Sequence, residues 1–357
     1  MMRSMRRQHG VAVITALLLT TLAVTIVASL FWQQQVQVRS IENQRTQLQK
    51  QWILRGAIDW ARLILRSSGN QSQVDTLSDP WAIPLQEVRL DDFVENGKQD
   101  AEASSAVLSG NIVDAHALFN LSNLIRGGTL SAPDVVAFTK LLDNLRVPAA
   151  ATLAKATADY LVSARPAAPA PVPAGASSVP SIGTPAVDRA GPPPASRKGA
   201  AETSAAPTST AKVMTLTQVN DLLAVEGFTI DALAKVRDFV TVIDDKATNI
   251  NVNTASATVL SAVIPGLSPG DAASIVAGRE RSSFKDMADF LSHLPTAVTN
   301  PGGGTTAGPA LSGLDVKSEH FLVNGKVKLN NAVLEIQSLV GRPTHGGTVK
   351  VIWTREN

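Results

Sequence analysis

"RRQHGVAVITALLLTT", Arg6 to Thr21, sets a short basic head directly against an uncharged apolar run, with Gly10 at the junction. No charged side chain follows until Arg39, and residues 11–32 are apolar apart from threonine and serine. About 20 such residues cross a bilayer as a helix, so this run is predicted to span a membrane. Arg3, Arg6 and Arg7 precede it, and the positive-inside rule keeps that end in the cytoplasm, with the bulk of the chain on the far side. The helical signal continues beyond the bilayer. From Gln33 to Arg66 there is no proline, Gln, Arg and Leu dominate, and only Gly56 lowers the helix propensity. Ile41, Leu48 and Trp52 share one stripe, while Leu54, Ile58, Ala61 and Leu65 repeat at helical spacing on another face that would pack on a globular domain. "SSGN", residues 67–70, is predicted to end an element of roughly 80 Å.

The chain has 357 residues, enough for two ordinary domains beyond a membrane anchor. Lys+Arg 32 nearly balances Asp+Glu 30, so no broad basic field exists to gather nucleic acid. There is no cysteine, which removes disulfides, thiolate nucleophiles and Cys-ligated zinc together. The five histidines, His9, His116, His293, His320 and His345, lack metal-ligand spacing and read as core or solvated residues. No nucleophile elbow, HExxH or paired-carboxylate constellation occurs, so a tethered hydrolase has no support. The expectation is a non-enzymatic protein.

After the helix comes "DPWAIPL", and then "AVLS" and "IVDA" flank Gly110-Asn111, a dipeptide suited to a two-residue hairpin turn. "FNLSNL" hands over to helical sequence, in which Ser131 or Ala132 precedes Pro133 at a helix start. From about Ala164 to Thr210 the composition turns to Ala, Pro, Ser and Gly, read as a disordered loop or linker. "LTQVNDLLAVEGFTIDALAKVRDFVTVID" is helical in period, and "NINVNTASATVLSAVIPGLSPGDAASIVAGRER" reads as short helices, the first capped by Asn253 or Thr254. Pro265-Gly266 breaks that helix and Pro269-Gly270-Asp271 opens the next; "TNPGGGTTAGPALSG" is a second flexible stretch. In the tail, Asn324-Gly325 is a hairpin signal between "HFLV" and "KVKL", and "VLEIQSLV" and "TVKVIWT" alternate, so three antiparallel strands are predicted to end the chain. Neither the first hairpin nor these strands makes a sheet alone, so they are joined into one sheet with the helical block inserted.

Three readings compete for the amino-terminal segment. A cleavable secretory signal needs a shorter apolar core and a small-residue site after it, a poor match to "IVAS". A plain signal anchor is the second. The third is a prepilin-type signal, which "RRQHG" followed by "VAVIT" resembles, with cleavage between Gly10 and Val11 on the cytoplasmic side and the helix retained. Over nearly its whole length the chain resembles protein K of the bacterial type II secretion system, the large minor pseudopilins. The residues that carry this are the leader and helix from Gly10 to Arg66, "VDAHALFNLSNL", "NDLLAVEGF", "NINVNTASATVL" with "PGLS", and "VKSEHFLVNG" with the C-terminal strands. The resemblance implies an α+β pilin-like fold, a long N-terminal helix plus an antiparallel sheet, carrying a large inserted all-α domain. The divisions are then a leader (1–10), a transmembrane part (11–32), the pilin helix and first hairpin (33–120), the inserted α-domain (121–312, with the Pro/Ala-rich loop at 164–210) and the C-terminal strands (313–357).

The resemblance also implies a place at the tip of a periplasmic pseudopilus, with minor pseudopilins I and J, the major pseudopilin, prepilin peptidase and the inner-membrane assembly platform as partners, no nucleic acid, and N-methylation of Val11. Most pilins carry glutamate at the fifth mature position; here that position is Thr15. An unpaired ionisable group at bilayer depth costs about 2.5–3.5 kcal/mol on insertion scales, and a tip subunit has no earlier neighbour to pair it. Threonine avoids that cost by bonding back to a helix carbonyl; alternatively Thr15 is one of several threonines, with Thr20, Thr21 and Thr25, in a tolerant helix. The family is associated with calcium, but where its acidic stretch is expected this chain reads "ADYLVSARPAAPAP", with Asp159 alone surviving, so no ligand set is assembled. The rival reading is a membrane-anchored helix-hairpin-helix DNA receptor of the competence type, built on "NINVNTASATVLSAVIPGLSPGDAASIVAGRER". There Ser268 replaces the expected second glycine, and Glu280 and Asp271 stand against Arg279 and Arg281.

Overall fold

The computed structural model describes residues 9–89, 106–164, 214–243, 246–299, 311–329, 332–343 and 347–356. Its helices are α1 (His9–Gln71), α2 (Ala132–Asn144), α3 (Ala150–Ala164), α4 (Ile230–Val236), α5 (Ala257–Val263), α6 (Pro269–Arg279), α7 (Met287–Ser292) and α8 (Thr296–Thr299). The strands that matter below are β1 (Leu85–Arg89), β2 (Val107–Asp114), β3 (Ile250–Asn251), β4 (Leu314–Asp315), β5 (His320–Leu329), β6 (Ala332–Gly341) and β7 (Lys350–Glu356). Two compact units result. The first is Met1–Phe119 with Thr248–Asn357, and the second is Asn120–Ala247. The insertion expected over 121–312 spans parts of both units, its described residues 248–299 and 311–312 falling in the first.

In the first unit five strands form one antiparallel sheet in the order β1-β2-β5-β6-β7, so the early strands and the C-terminal strands are joined. The helix α1 covers it through Leu54 and Ile58, which pack on Val327, Leu334 and Ile336, and through Ala61 and Leu65, which join Trp81, Phe321, Val323, Val340 and Val349. Trp81 and Phe321 meet edge to face with ring centres 5.2 Å apart. Burying each leucine of this seam contributes about 1.5–3 kcal/mol. The short parallel pair of β3 and β4 and the helices α5 to α8 complete the unit.

Both turn signals read from the sequence are overturned. Gly110-Asn111 and Asn324-Gly325 are not hairpin turns but the middles of β2 and β5, where they pair with one another, Gly110 opposite Gly325 and Asn111 opposite Asn324. The partner of β2 is β1, and the residues joining β5 to β6 are 330–331. Close packing explains the glycines. A Cβ on Gly110 would lie 2.5 Å from the Asn324 carbonyl oxygen, and one on Gly325 would lie 3.2 Å from Leu54 Cδ2 of α1. The asparagines build a ladder: Asn324 Nδ2 donates to Asn111 Oδ1 at 3.2 Å and Gln337 Nε2 donates to Asn324 Oδ1 at 3.0 Å. A turn dipeptide has been used for backbone proximity.

Three further boundaries differ from expectation. α1 runs through "SSGN" to Gln71, because Gly69 makes room for Arg342, whose Cδ lies 3.0 Å from where a Cβ would be. The first helix after "NINVNT" is capped by Ser256, which accepts from Val259 N–H, and not by Asn253 or Thr254, whose side chains are committed elsewhere. "FNLSNL" continues as a 3-10 turn and a short ladder of Ile125–Arg126 with Thr129–Leu130 instead of a helix. Pro269 opens α6 behind the Ser268 cap, and Gly266, at φ 78°, follows the end of α5, both as predicted. The Pro/Ala-rich loop and most of the second flexible stretch lie outside the described residues.

The second unit packs α2 and α3 through Phe138, Leu141, Leu142, Leu153, Ala154, Ala158 and Leu161, all buried. "LTQVNDLLAVEGF" forms a 3-10 turn at Val219–Ala224 instead of regular helix, and Gly227 follows at φ 88°, where a Cβ would crowd Leu153 Cδ2 at 3.0 Å. Asn120 closes the unit on itself. Its Oδ1 accepts from Ile243 N–H and Ser122 N–H at 3.1 Å each, and its Nδ2 donates to the Lys246 carbonyl at 2.9 Å.

Candidate functional site

Gly10 and Val11 lie in the first turns of α1. Thr15 Oγ1 donates to the Ala12 carbonyl at 3.0 Å, the back-bond that lets a hydroxyl sit in hydrocarbon at little cost. Thr20, Thr21 and Thr25 do the same toward Leu17, Leu18 and Leu22, so this bond does not single Thr15 out. The helix is long and apolar enough to cross a membrane, with a mean hydropathy of 2.4 in its most apolar window and none of that window buried within the protein.

Beyond the bilayer α1 carries two apolar faces. Leu54, Ile58, Ala61 and Leu65 turn to the sheet, while Ile41 (65 % exposed), Leu48 (56 %), Trp52 (67 %) and Leu63 (63 %) remain open to solvent. Beside the open face, Gly56, Ala57 and Trp60 of α1 and Leu85, Val88 and Leu108 of the sheet line an apolar groove of about 330 Å³. Apolar side chains left uncovered in this number mark an interaction surface.

A buried polar knot holds the first unit's turns together. Asp114, at the end of β2, accepts from Thr254 Oγ1 (2.5 Å), Ser318 Oγ (2.6 Å), His116 N–H (2.8 Å) and Asn251 Nδ2 (3.1 Å). Burial raises the Asp114 carboxyl, and these donors oppose that shift. Asn251 Nδ2 also donates to Ser318 Oγ at 2.9 Å, and Asn253 clasps Phe284 through both its N–H and its carbonyl at 2.9 Å. Asp75 receives both its Arg342 contacts at 2.5 Å, and Arg342 stacks over Phe321 at 4.7 Å. Burial raises the Asp75 carboxyl too, with Arg342 opposing. The knot explains "VDAH", "NINVNT" and "KSEH" physically: each supplies partners whose buried polar atoms would otherwise be unsatisfied. Spacing along the chain could not reveal it, because Asp114 and Ser318 are 204 residues apart. Nor could spacing show that His116 and His320 meet, 3.1 Å between ring nitrogens.

Among the described residues no calcium cage is assembled. Asp159 sits on an exposed stretch of α3 and pairs with Lys155 at 2.5 Å, and among the described residues no three His, Asp or Glu side chains converge as metal ligands. Six to eight oxygens are needed. The helix-hairpin-helix reading also meets an obstacle. Ser268 Oγ accepts from Asp271 N–H at 3.1 Å and donates to the Asp271 carboxylate at 2.7 Å, so the start of α6 already carries its own anion. A phosphate there would face a like charge.

A long apolar N-terminal helix laid on an antiparallel sheet defines the class as pilin-like. Two family models, each described as type II secretion system protein K, match residues 117–245 and 250–323. The type II secretion system protein K of Pseudomonas aeruginosa is 27 % identical over 352 residues, covering 96 % of this chain and 91 % of that protein. A chain of the GspK-GspI-GspJ complex from the enterotoxigenic Escherichia coli type 2 secretion system superposes with a TM-score of 0.59 at 18 % identity, covering 89 % of this chain and 99 % of that one. The chain belongs to the type II secretion system protein K family and is a minor pseudopilin of that system, a structural component anchored to a membrane by one apolar helix.

Proposed function

We propose that this chain caps or initiates the tip of the pseudopilus that serves the export of folded proteins from the periplasm across the outer membrane. The observation that carries the reading is the second apolar face of α1, Ile41, Leu48, Trp52 and Leu63, which the protein's own sheet leaves uncovered. A face continuous with the membrane segment on one rigid helix suits a neighbouring helix that leaves the bilayer alongside it. In this reading prepilin peptidase cuts between Gly10 and Val11 on the cytoplasmic side, Val11 is N-methylated, and the rest of the chain faces the periplasm of the inner membrane. Minor pseudopilins I and J are the direct partners, as the complex formed by the Escherichia coli protein suggests; the major pseudopilin and the inner-membrane assembly platform receive the complex. Thr15 spares a tip subunit an unpaired charge in hydrocarbon, about 2.5–3.5 kcal/mol.

The test is co-purification of residues from Gln33 onward with I and J, alongside secretion in cells lacking the chain. A stable ternary complex and lost secretion support the proposal. Unimpaired secretion, or a head that binds neither partner, overturns it. Peptide mapping of the mature protein should begin at a methylated Val11.

A further inference from the structure

The imidazoles of His116 and His320 lie nearly parallel, 12° between planes and 5.4 Å between centres, with His116 Nε2 3.1 Å from His320 Nδ1. Glu319 N–H also points at His116 Nε2, at 3.4 Å. A backbone N–H is a fixed donor, so Nε2 is the accepting nitrogen of His116, its own proton sits on Nδ1, and His320 Nδ1–H donates. His116 Nδ1 is buried without a hydrogen-bond partner, and the Asn249 backbone is among the groups that favour a charged ring. A proton added to Nε2 would set a third N–H against two others in a buried space.

The place of the pair gives this consequence. His116 precedes the point where the chain leaves the first unit at Phe119, and Asn249 directly follows the point where it returns at Thr248. Asp114, two residues before His116, binds Asn251 and Thr254 of the returning stretch. We propose that the His116–His320 pair is an acid-sensitive clamp that pins the outgoing stretch 114–119 to the start of β5 and, through Asp114, keeps the returning stretch 249–254 in place, and that protonation of His116 Nε2 opens it.

The groups that face His116 are Asp75 from the segment after α1, Asp315 at the end of β4, Glu319 just before β5, His320, and Asp114, which binds the His116 N–H. The first three favour a charged ring, but burial outweighs them and lowers the His116 pKa from 6.5 to about 4. The closed form therefore refuses a proton that the open form accepts. Its extra stability is complete above pH 6.5 and is lost as the pH falls toward about 4, which raises the opening equilibrium on the order of a hundredfold. Asp75 and Asp114 are shifted upward and act with the opposite sign, so a variant that silences His116 alone is the right reference.

The experiment is amide hydrogen exchange on the full chain in detergent at pH 7 and pH 4.5, corrected for intrinsic rates, comparing 114–119 and 249–254 with the centres of β5 and β6. In the native protein both stretches should lose protection on the order of a hundredfold at pH 4.5 while the sheet keeps its own. His116→Gln places an amide oxygen near Nε2 that accepts but does not titrate, and should keep protection at both pH values. Native stretches that stay protected at pH 4.5, or a folded His116→Gln that opens with acid as the native chain does, overturn the proposal. Should His116→Gln fail to fold, NMR titration of the native His116 ring decides. Ring titration in step with loss of protection supports the clamp, and titration at a different pH refutes it.

Discussion

The sheet-side face of α1 (Leu54, Ile58, Ala61, Leu65) is buried, whereas the opposite face (Ile41, Leu48, Trp52, Leu63) is exposed although its side chains are larger. Hydrophobic content therefore does not separate the two faces. What separates them is whether the chain itself supplies a surface to cover them. The sheet-side seam determines the stability of the head, and in the proposed assembly the open seam is what another subunit covers. Substitutions should accordingly divide into those that unfold and those that disconnect.

The largest loss of stability is expected where the buried seam ends. Arg342→Met removes the guanidinium that Asp75 pairs with and leaves the buried carboxylate without its counter-charge, though still bonded by the Ser318 N–H, at a cost of about 3–5 kcal/mol. Thermal unfolding of the detergent-solubilised chain should show it. Leu65→Ala, at a fully buried position, should cost about 2–5 kcal/mol in the same measurement, depending on how far Phe321 and Val340 close the cavity. Gly110→Ala should cost about 1–3 kcal/mol, because the new methyl lands on the Asn324 carbonyl and forces β2 and β5 apart. A neutral result would mean that the cross-strand glycines are incidental. The smallest effect on stability belongs to Trp52→Glu, within about 0.5 kcal/mol, yet co-purification with I and J should be lost. Loss of stability there, or retained assembly, would erase the contrast between the faces.

Periodicity made α1 and its two stripes legible, because a 3.6-residue repeat records which side chains share a face whether or not they are covered. Alternation did the same for β6, where Leu334 and Ile336 are buried and Glu335 is exposed. The glycine pairs misled, since Asn-Gly and Gly-Asn favour turns locally and only the approach of α1 and the neighbouring strand selects extended backbone instead. Thr254 misled in the same way. A threonine before an apolar run is a reasonable cap, but its hydroxyl is 2.5 Å from Asp114, a residue 140 positions earlier. Ser256, two positions on, was the better placed oxygen.

The amino-acid order alone determined the membrane segment, the rod that continues it, the strand-rich tail and the family, because those signals are local: hydropathy, helical period, alternation and short motifs in sequence. Tertiary structure alone decided that two turn dipeptides become facing strand centres, that Asp114 and Asp75 are buried among donors, and that His116 meets His320. These pairings join residues far apart along the chain, and their free energy comes from excluding water at contacts that do not exist until the sheet, the helix and the returning stretch have closed on one another.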